Sequence, residues 1–413
     1  MRICLVLEGC YPYVHGGVST WMHSYIEAMK EHEFVLWVIG AKAEDRGKFV
    51  YDLPSNVVEV HEVFLDDALR LSGERAQVSF TEEELRSLRE LVNLGSPDWD
   101  VLFNLFHTKG VHPLSFLQSR EFIDLFTQIC MEEYPYVAYA DAFHTVRSML
   151  LPVLYLMGSE VPKAQIYHAI STGYGGLLAC LGSSINHAPI LLTEHGIYTR
   201  EREEEIISAE WVLPAFRPRW IRFFYMLSEQ IYQRAWRITS LFGRARLIQI
   251  GMGAPADACQ VIPNGINRAH FAQSPGQDEA KAQLGLQDRL VLGFTGFVRD
   301  WHGVDRIVDW MATPQAPAHT HLLVVGDGPV RQALEEQARR LGLANRVGFT
   351  GVIHRDQVPA HVAAFDVALQ PAVTPYASPL KLMEYLVLGK AIIAPSTPNL
   401  RETLTHESNA LLF

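Results

Sequence analysis

The chain alternates between short apolar runs and stretches with helical spacing. Arg2–Leu7 and Phe34–Ile39 are apolar runs of strand length, and Val18–Lys30 between them repeats apolar side chains every three or four residues. A strand, a helix and a second strand at this spacing predict a βαβ unit, and such units build parallel sheets covered by helices. The alternation resumes near residue 164 and continues to the last residues. The sequence therefore predicts an α/β fold.

Two series of βαβ units divide the chain. Its 413 residues are enough for two α/β domains with separate cores. We place the first domain at residues 1–271, with a helical insertion over residues 46–141 that includes one helix at Phe116–Glu132, and the second at residues 272–413. Ligands of doubly wound sheets bind beyond the carboxyl ends of the strands. We therefore expect two Rossmann-like domains that face each other across a cleft, with the active site in that cleft.

Composition excludes several classes of protein. Hydrophobic residues make up 48% and charged residues 20% of the chain, which predicts a folded protein. The net charge of -11 argues against nucleic acid as the main partner. The five cysteines are scattered, which fits a reducing compartment and neither a disulfide framework nor a zinc site. The most apolar helical stretch, Met149–Met157, is too short to cross a bilayer and contains Pro152. We expect a cytoplasmic protein.

Three loops that follow predicted strands of the first domain carry candidate site residues. Gly16 and Gly17 open a helix, where the missing Cβ atoms let a ligand approach and free N–H groups can bind an anion. A plain strand–helix turn explains them as well. The other two loops contain small polar or ionisable side chains that suit a cleft for sugars, although glycine turns with Ser or Thr caps and a structural histidine are the alternatives. These residues are His168, Ser171, Thr172, Glu194 and His195.

Two loops of the second domain carry the remaining candidates. Gly296 is followed by Arg299, His302 and a predicted helix start, a pattern that predicts a diphosphate-binding loop; a surface loop with one arginine is the alternative. In the second loop, Ser378 is the predicted N-cap and Pro379 the first helical residue, so that N–H groups near Leu380 and Lys381 would face a ligand. Glu384 could take the two hydroxyls of a ribose, or it could be a surface charge.

Ordered motifs in the second half resemble glycosyltransferase family 4, whose fold is called GT-B. They are Val261-Ile262-Pro263-Asn264-Gly265-Ile266, Val325-Gly326-Asp327-Gly328-Pro329, Val347-Gly348-Phe349-Thr350-Gly351 and Ser378-Pro379-Leu380-Lys381-Leu382-Met383-Glu384-Tyr385. The first half resembles a narrower group, the PelF-like enzymes of Pel exopolysaccharide synthesis. That likeness is carried by Leu7-Glu8-Gly9, Tyr11-Pro12-Tyr13-Val14, Gly16-Gly17-Val18-Ser19, Tyr167-His168-Ala169-Ile170-Ser171-Thr172-Gly173-Tyr174 and Thr193-Glu194-His195-Gly196-Ile197-Tyr198.

The sequence departs from the family pattern in its donor half. Phe297 stands where the family usually has an arginine, and His302 stands where it usually has a lysine, so Arg299 is the expected substitute. Tyr376 occupies the first position of the family's pair of glutamates, and Glu384 occupies the second. The helix that usually ends these enzymes is not seen after Phe413.

The resemblance implies a retaining transfer from a nucleotide-sugar, expected to be a UDP-sugar, to a growing exopolysaccharide or glycoconjugate. It implies no cofactor, and the absence of an Asp-x-Asp cluster predicts no required metal. A membrane-associated polysaccharide synthesis complex at the inner membrane is the expected partner. The implied catalytic residues are His195, Arg299, Lys381 and Glu384; the donor-binding residues are Gly16, Gly17, Gly296, His302, Ser378, Pro379 and Leu380; the acceptor-side residues are His168, Ser171, Thr172 and Glu194.

Three alternatives remain open from the sequence. One is a degenerate GT-B protein that binds nucleotide-sugar or partner proteins without transferring a sugar, and another is a GT-B sugar-nucleotide epimerase. The third concerns the predicted helix Arg219–Trp236, which carries aromatic residues and arginines near its start. It could contact a membrane surface, or it could be a core helix with a solvated basic end.

Overall fold

A computed structural model describes residues 1–72 and 78–413, which form two compact units. Unit 1 contains Met1–Leu241 and Ala245–Val261, and unit 2 contains Phe242–Arg244 and Ile262–Phe413. The units divide after Val261, earlier than the boundary at residue 271 that the sequence analysis places. Residues 73–77 belong to the predicted insertion and lie outside the described residues.

Unit 1 is built on a parallel sheet. Over the described residues the sheet has seven strands in the order β3-β2-β1-β4-β5-β6-β7, with every neighbouring pair parallel. The strands are β1 (Arg2–Glu8), β2 (Glu33–Gly40), β3 (Val57–Phe64), β4 (Ile166–Ala169), β5 (Ile190–Glu194), β6 (Arg237–Ser240) and β7 (Cys259–Val261). The helices up to β7 are α1 (Gly17–Ala28), α2 (Glu82–Val92), α3 (Trp99–Phe103), α4 (Pro113–Leu117), α5 (Arg120–Glu133), α6 (Tyr139–Met157), α7 (Tyr174–Asn186), α8 (Tyr198–Ser208), α9 (Arg217–Arg234) and α10 (Gly243–Gly251).

The central strands of this sheet are buried on both faces. Leu5 and Leu7 of β1 pack with Met22 of α1 on one face, whereas Cys4 and Val6 belong to the larger core on the other face. Helices cover both faces of a parallel sheet, so its strands consist of continuous apolar runs rather than alternating ones. This is why the sequence pattern locates β1 and β2.

Two predictions about the insertion are wrong. Val57–Phe64 forms β3, an edge strand paired with β2, where we expected helices. Charged residues alternate with valines along β3, which is typical of an edge strand and hides the apolar signal. The predicted helix Phe116–Glu132 is two helices, because Ser119 caps the second by accepting a hydrogen bond from the N–H of Phe122 (3.1 Å).

Helix α9 is a core helix and not a membrane-facing one. Its aromatic residues are largely buried, and Arg219 is only 6% exposed. The guanidinium of Arg219 donates to the backbone oxygen of Val92, and that of Arg222 donates to the backbone oxygen of Leu94. These arginines therefore bind carbonyls near the end of α2. No helix within the described residues is long and apolar enough to cross a bilayer.

Unit 2 repeats the same arrangement. Its sheet, over the described residues, has six parallel strands in the order β10-β9-β8-β11-β12-β13. The strands are β8 (Leu290–Thr295), β9 (Thr320–Val325), β10 (Val347–Phe349), β11 (Val367–Leu369), β12 (Ala391–Ala394) and β13 (Leu411–Leu412). The helices are α11 (Arg268–Phe271), α12 (Gln277–Gln283), α13 (Val304–Met311), α14 (Arg331–Arg340), α15 (Val358–Ala363) and α16 (Lys381–Val387).

Both sheets reverse their strand order next to their first strand. The order runs outward from β1 to β3 on one side and from β4 to β7 on the other, and β8 has β9 and β11 as its neighbours. Such a reversal opens a crevice at the carboxyl ends of the two central strands. The structure confirms two Rossmann-like, doubly wound sheets, and it places one such switch point at β1/β4 and a second at β8/β11.

Gly293 in β8 is a position where the core of unit 2 accepts no side chain. A Cβ atom there would lie 2.1 Å from the ring of Phe365, which is fully buried. We expect Gly293→Ala to lower the free energy of unfolding by about 1–3 kcal/mol, because a methyl group would overpack the core. Gly265→Ala is the matched control, since a Cβ atom at Gly265 meets open space. Urea unfolding curves that coincide for the two variants would contradict this account.

Candidate functional site

Glu8 occupies the switch point of unit 1. Its Oε2 accepts hydrogen bonds from the Ser171 hydroxyl (3.1 Å) and from the N–H of Gly175 (2.9 Å), and its Oε1 accepts one from the Tyr198 hydroxyl (2.8 Å). Gly175 lies in the first turn of α7, where free N–H groups and the helix dipole favour an anion. The protein's own carboxylate therefore fills the anion position at the start of α7. We did not single out Glu8 from the sequence.

The glycines at the start of α7 serve packing. A Cβ atom at Gly173 would lie 2.1 Å from the ring of Tyr198, and one at Gly176 would lie 3.0 Å from Ile231 of α9. These glycines let α8 and α9 approach closely. Together with the Glu8 contacts, this explains the polar, glycine-rich loop after β4 without a ligand.

The predicted acceptor-side residues of this loop lie largely inside unit 1. His168 is 1% exposed, and its Nε2 lies 2.8 Å from Oγ1 of Thr193. Burial lowers the pKa of His168 to about 3, so the ring is neutral near pH 7. Thr172 is fully buried, and its hydroxyl contacts that of Ser228 (2.7 Å). The assignment of His168, Ser171 and Thr172 to an acceptor stays a prediction.

Glu194 is also part of an internal network. Its carboxylate is 2% exposed and accepts hydrogen bonds from the Tyr232 hydroxyl (2.6 Å), from Nε2 of Gln249 (2.9 Å) and from the N–H of Tyr198 (3.3 Å). Burial raises the pKa of Glu194. These contacts tie the end of β5 to α8, α9 and α10, and so they hold the residue that follows, His195.

His195 keeps hydrogen-bonding capacity for a ligand. The ring is half-buried and packs edge-on against Trp21, with 4.5 Å between the centroids. Burial lowers its pKa to about 4, and its buried Nε2 has no hydrogen-bond partner among the described residues. A neutral imidazole can donate or accept one hydrogen bond at such an atom.

The start of α1 differs from the start of α7. Helix α1 begins at Gly17, as the sequence predicts, and no side chain caps it within the described residues. Gly16 and Gly17 are exposed, and a Cβ atom at Gly16 would meet open space. The first N–H groups of α1 are therefore open to an anion, whereas those of α7 already face Glu8.

At the switch point of unit 2, the loop after β8 interlocks with the loop after β9. The N–H of Gly296 donates to the oxygen of Val325 (2.9 Å), and the N–H of Val298 donates to the oxygen of Asp327 (2.8 Å). A Cβ atom at Gly328 would lie 2.0 Å from the oxygen of Val298, so only glycine permits this approach. The glycines around Asp327 therefore hold the loop after β8 in place.

Asp327 does not cap the helix that follows this turn. Helix α14 begins at Arg331, with Val330 at the N-cap position. The Asp327 carboxylate instead accepts a hydrogen bond from the N–H of Gly328 (2.8 Å) and lies 3.5 Å from Nη1 of Arg331. Its side chain thus stabilises the turn in which the two loops meet.

Lys381 provides a cation at this switch point. Its Nζ lies 3.6 Å from the centroid of the Phe294 ring and 3.5 Å from the Cβ position of Gly296. Burial lowers the pKa of Lys381 to about 7. Among the described residues no carboxylate lies within salt-bridge distance of Lys381, although the charge of Glu384, one helical turn later, raises its pKa against the effect of burial. Burial raises the pKa of Glu384. A buried amine without a paired carboxylate favours an anionic ligand.

His302 and Arg299 lie near this lysine, but His302 is half-buried and Arg299 is exposed. The His302 ring is 5.2 Å from the Phe294 ring, and its Nδ1 accepts a hydrogen bond from the N–H of Arg299 (3.0 Å). Burial, reinforced by Lys381 and Arg299, lowers the pKa of His302 to about 3, so the ring is neutral and carries its proton on Nε2. Arg299 is exposed, and its guanidinium lies 5.2 Å from the Phe297 ring and 5.0 Å from the Trp301 ring.

The predicted N-terminus of α16 is wrong. The helix begins at Lys381 with Leu380 at its N-cap position, whereas we predicted Ser378 as the cap and Pro379 as the first helical residue. Ser378 is instead held through its backbone oxygen, which accepts a hydrogen bond from Nδ2 of Asn264 (3.3 Å). Asn399, which the sequence analysis missed, donates to the backbone oxygens of Thr374 and Ala377 (3.0 and 2.7 Å). The segment is therefore fixed by long-range amide contacts.

The structure thus brings Gly296, His302, Lys381 and Glu384 together in unit 2, with Arg299 on the adjoining surface. In unit 1 it brings His168 and His195 together, since the charge of His195, after burial, contributes to the lowered pKa of His168. The described residues contain no group of three or more His, Cys, Asp or Glu that could hold a metal ion. The arrangement in unit 2 suits a polyanionic ligand bound by one buried amine, one neutral N–H donor and a glycine-rich backbone.

Two family models match the chain. Residues 1–257 match the family described as domain of unknown function DUF3492, and residues 289–413 match the family described as glycosyl transferases group 1. The second match contains β8 to β13 and therefore the whole switch point of unit 2.

Curated relatives match part of the chain. A 2-deoxystreptamine glucosyltransferase of Streptomyces kanamyceticus is 33% identical over 146 residues, which are 34% of this chain and 38% of the relative. A 2-deoxystreptamine N-acetyl-D-glucosaminyltransferase of Streptomyces fradiae is 29% identical over 190 residues, which are 44% of each protein. The chain thus spans less than half the length of these curated relatives.

Solved structures match along the whole chain. HepE from Anabaena, in complex with UDP-glucose, superimposes with a TM-score of 0.60 at 16% identity, covering 100% of this chain and 85% of that one. Sucrose-phosphate synthase from Thermosynechococcus elongatus gives 0.58 at 15% identity with the same coverage. At these identities the likeness shows the fold, and the match over residues 1–257 covers more than half of the sequence. The chain belongs to the DUF3492 family, and its second unit matches the group 1 glycosyl transferases.

Proposed function

We propose that this protein transfers a sugar from a nucleotide-diphosphate-sugar donor, and that the donor binds at the β8/β11 switch point. The observation that carries this proposal is the half-buried amine of Lys381, which forms no salt bridge among the described residues and lies next to Gly296 and Phe294. A diphosphate would supply the charge that this amine lacks. The match to group 1 glycosyl transferases over residues 289–413 supports the same activity.

We assign the reaction more specifically as a transfer with retention at the anomeric carbon, from a UDP-sugar to a growing exopolysaccharide or glycoconjugate. The solved structure of HepE holds UDP-glucose on the same fold, which supports a UDP-sugar as the donor. The PelF-like residues of the first half support the polysaccharide product and a place at the inner face of the membrane, within a synthesis complex. The acceptor would then be a glycan.

In this proposal the residues of unit 2 act on the leaving group. Negative charge develops on the nucleotide diphosphate as the bond to the sugar breaks, and donors that are already in position stabilise that charge. Lys381 supplies the buried charge and the Nε2–H of His302 a neutral donor. Arg299 can reach the ligand from the surface, and Glu384 would accept hydrogen bonds from the ribose.

For unit 1, taken by itself, we assign the open N-terminus of α1 to an anionic group and the unpaired Nε2 of His195 to a sugar hydroxyl. A neutral histidine can bind a sugar hydroxyl without adding charge. Gly16 and Gly17 would let the ligand approach the backbone.

A degenerate nucleotide-sugar-binding protein is the second candidate function. It is favoured by the exposed position of Arg299, since the expected replacement for the family arginine lies on the surface between two aromatic rings. An epimerase would change the donor without any acceptor. Incubation with UDP-sugars, with release of UDP and formation of the epimer followed separately, distinguishes the three activities.

Removal of the buried amine should abolish most of the turnover. We expect Lys381→Ala to reduce the rate of UDP release from a UDP-sugar by roughly 100-fold or more, the size of effect seen when one preorganised donor to a developing charge is removed. Arg306→Ala, which removes an exposed cation from α13, is the matched control and should leave the rate unchanged. Wild-type turnover by a folded Lys381→Ala protein would refute the proposed donor site.

Donor binding should also depend on pH. The pKa of Lys381 is about 7 without a ligand, and a bound diphosphate favours the protonated amine, so binding takes up a proton above that pH. We expect the Kd of UDP to rise about tenfold per pH unit above pH 7 and to level off below it, apart from the protonation of UDP itself. Calorimetric titration between pH 6 and pH 9, with Lys381→Arg as the control that keeps its charge, measures this. Identical slopes for the two proteins would contradict the assignment.

A further inference from the structure

Unit 1 contains a cavity that none of the predicted site residues lines. It has a volume of about 500 Å³ and lies between the edge of the sheet and the helical insertion. Its walls come from β2, from β3, from the π-helical turn Asn104–Thr108 and from the end of α6. This volume falls in the range of natural small-molecule sites, about 300–1,000 Å³.

Two buried nitrogen atoms on residues of this wall lack partners. Trp37 is fully buried, and its Nε1 has no hydrogen-bond partner among the described residues. The same holds for the buried Nδ1 of His107. Buried polar atoms in proteins are nearly always hydrogen-bonded, so each exception calls for an explanation, of which a bound ligand or water is one. His107 lies in a π-helical turn, a distortion that occurs often at functional sites.

The chemistry of the wall disfavours an anionic ligand, because the carboxylates of Glu62 and Glu160 both line it. None of its described residues is a lysine or an arginine, so a phosphate or a nucleotide diphosphate would find no counter-charge. The Glu62 carboxylate is already occupied, since it accepts hydrogen bonds from the Tyr13 hydroxyl and from the N–H of Gly47 (2.8 Å). The remaining polar groups include the hydroxyl of Tyr155, the hydroxyl oxygen of Ser159, whose proton is donated to the backbone oxygen of Leu156 (2.6 Å), and the ring of His61, whose Nε2 lies 3.2 Å from Glu59 Oε2.

Donors, acceptors and aromatic rings in one half-polar cavity suit a ligand that carries many hydroxyl groups on an apolar ring face. We propose that this cavity of unit 1 binds an uncharged saccharide unit. None of the residues that line the cavity belongs to either switch point, and the evidence for the cavity does not depend on the proposed transfer reaction. It assigns a ligand class to the insertion of the DUF3492 segment, residues 1–257.

Saturation-transfer NMR on the full chain tests this site with weakly binding probes. The probes are cellobiose and N,N′-diacetylchitobiose at millimolar concentration, which match the affinity expected for small neutral sugars. We expect saturation transfer to at least one of them, and a several-fold weaker signal for His107→Ala and for Tyr155→Phe. Tyr136→Phe is the matched control, because Tyr136 is fully exposed in the same unit and does not line the cavity. It should keep the wild-type signal.

Competition with UDP separates this site from the donor site. An excess of UDP should leave the sugar signal in place, because the cavity offers no counter-charge to a diphosphate. The proposal is overturned if neither disaccharide gives saturation transfer, if both cavity variants bind as wild type does, or if UDP displaces the sugar. A protein that binds the sugar here but turns over no UDP-sugar would support this site and reject the proposed function.

Discussion

Parallel strand pairing decides where a ligand can bind in this chain. Each parallel pair needs a helical crossover, and the crossovers place all carboxyl ends of a sheet at one edge. In unit 1 the order reverses between β1 and β4, and in unit 2 it reverses between β8 and β11. Every catalytic candidate in the loops after these strands depends on that reversal, because it keeps neighbouring loops from closing over the crevice.

The two switch points have the same topology and opposite electrostatics. In unit 1, the carboxylate of Glu8 binds the N–H of Gly175 and so neutralises the start of α7. In unit 2, the amine of Lys381 lies half-buried beside Gly296, and among the described residues no carboxylate forms a salt bridge with it. One site supplies its own anion and the other lacks one. A single fold repeated in tandem has therefore been given different roles by a few side chains.

The sequence predicts the elements that are buried on both faces and the loops that follow them. The apolar runs of β1, β2 and β8 need no tertiary information, and so the doubly wound fold follows from them. Strand β3 cannot be predicted from an apolar run, because charged residues of this edge strand alternate with its valines. Family resemblance brings Lys381, His302 and Glu384 to attention, and the structure places them together.

Contacts between residues distant in sequence could not be predicted in this way. Glu8 meets Gly175 and Tyr198, and Asn399 holds the segment before α16, through hydrogen bonds that leave no local periodicity. The cavity beside Trp37 likewise arises from five separated segments. The sequence does not distinguish a glycine that can admit a ligand, such as Gly16, from one that admits a neighbouring aromatic ring, such as Gly173.

The central claim is that a nucleotide diphosphate binds at the β8/β11 switch point and not at the start of α7. Hydrogen–deuterium exchange with and without UDP tests it most directly. The account predicts slower exchange for the amides of residues 296–303 and 380–384 in the presence of UDP, and unchanged exchange for residues 174–177, where Glu8 already binds. Protection of residues 174–177 without protection of 296–303 would contradict it.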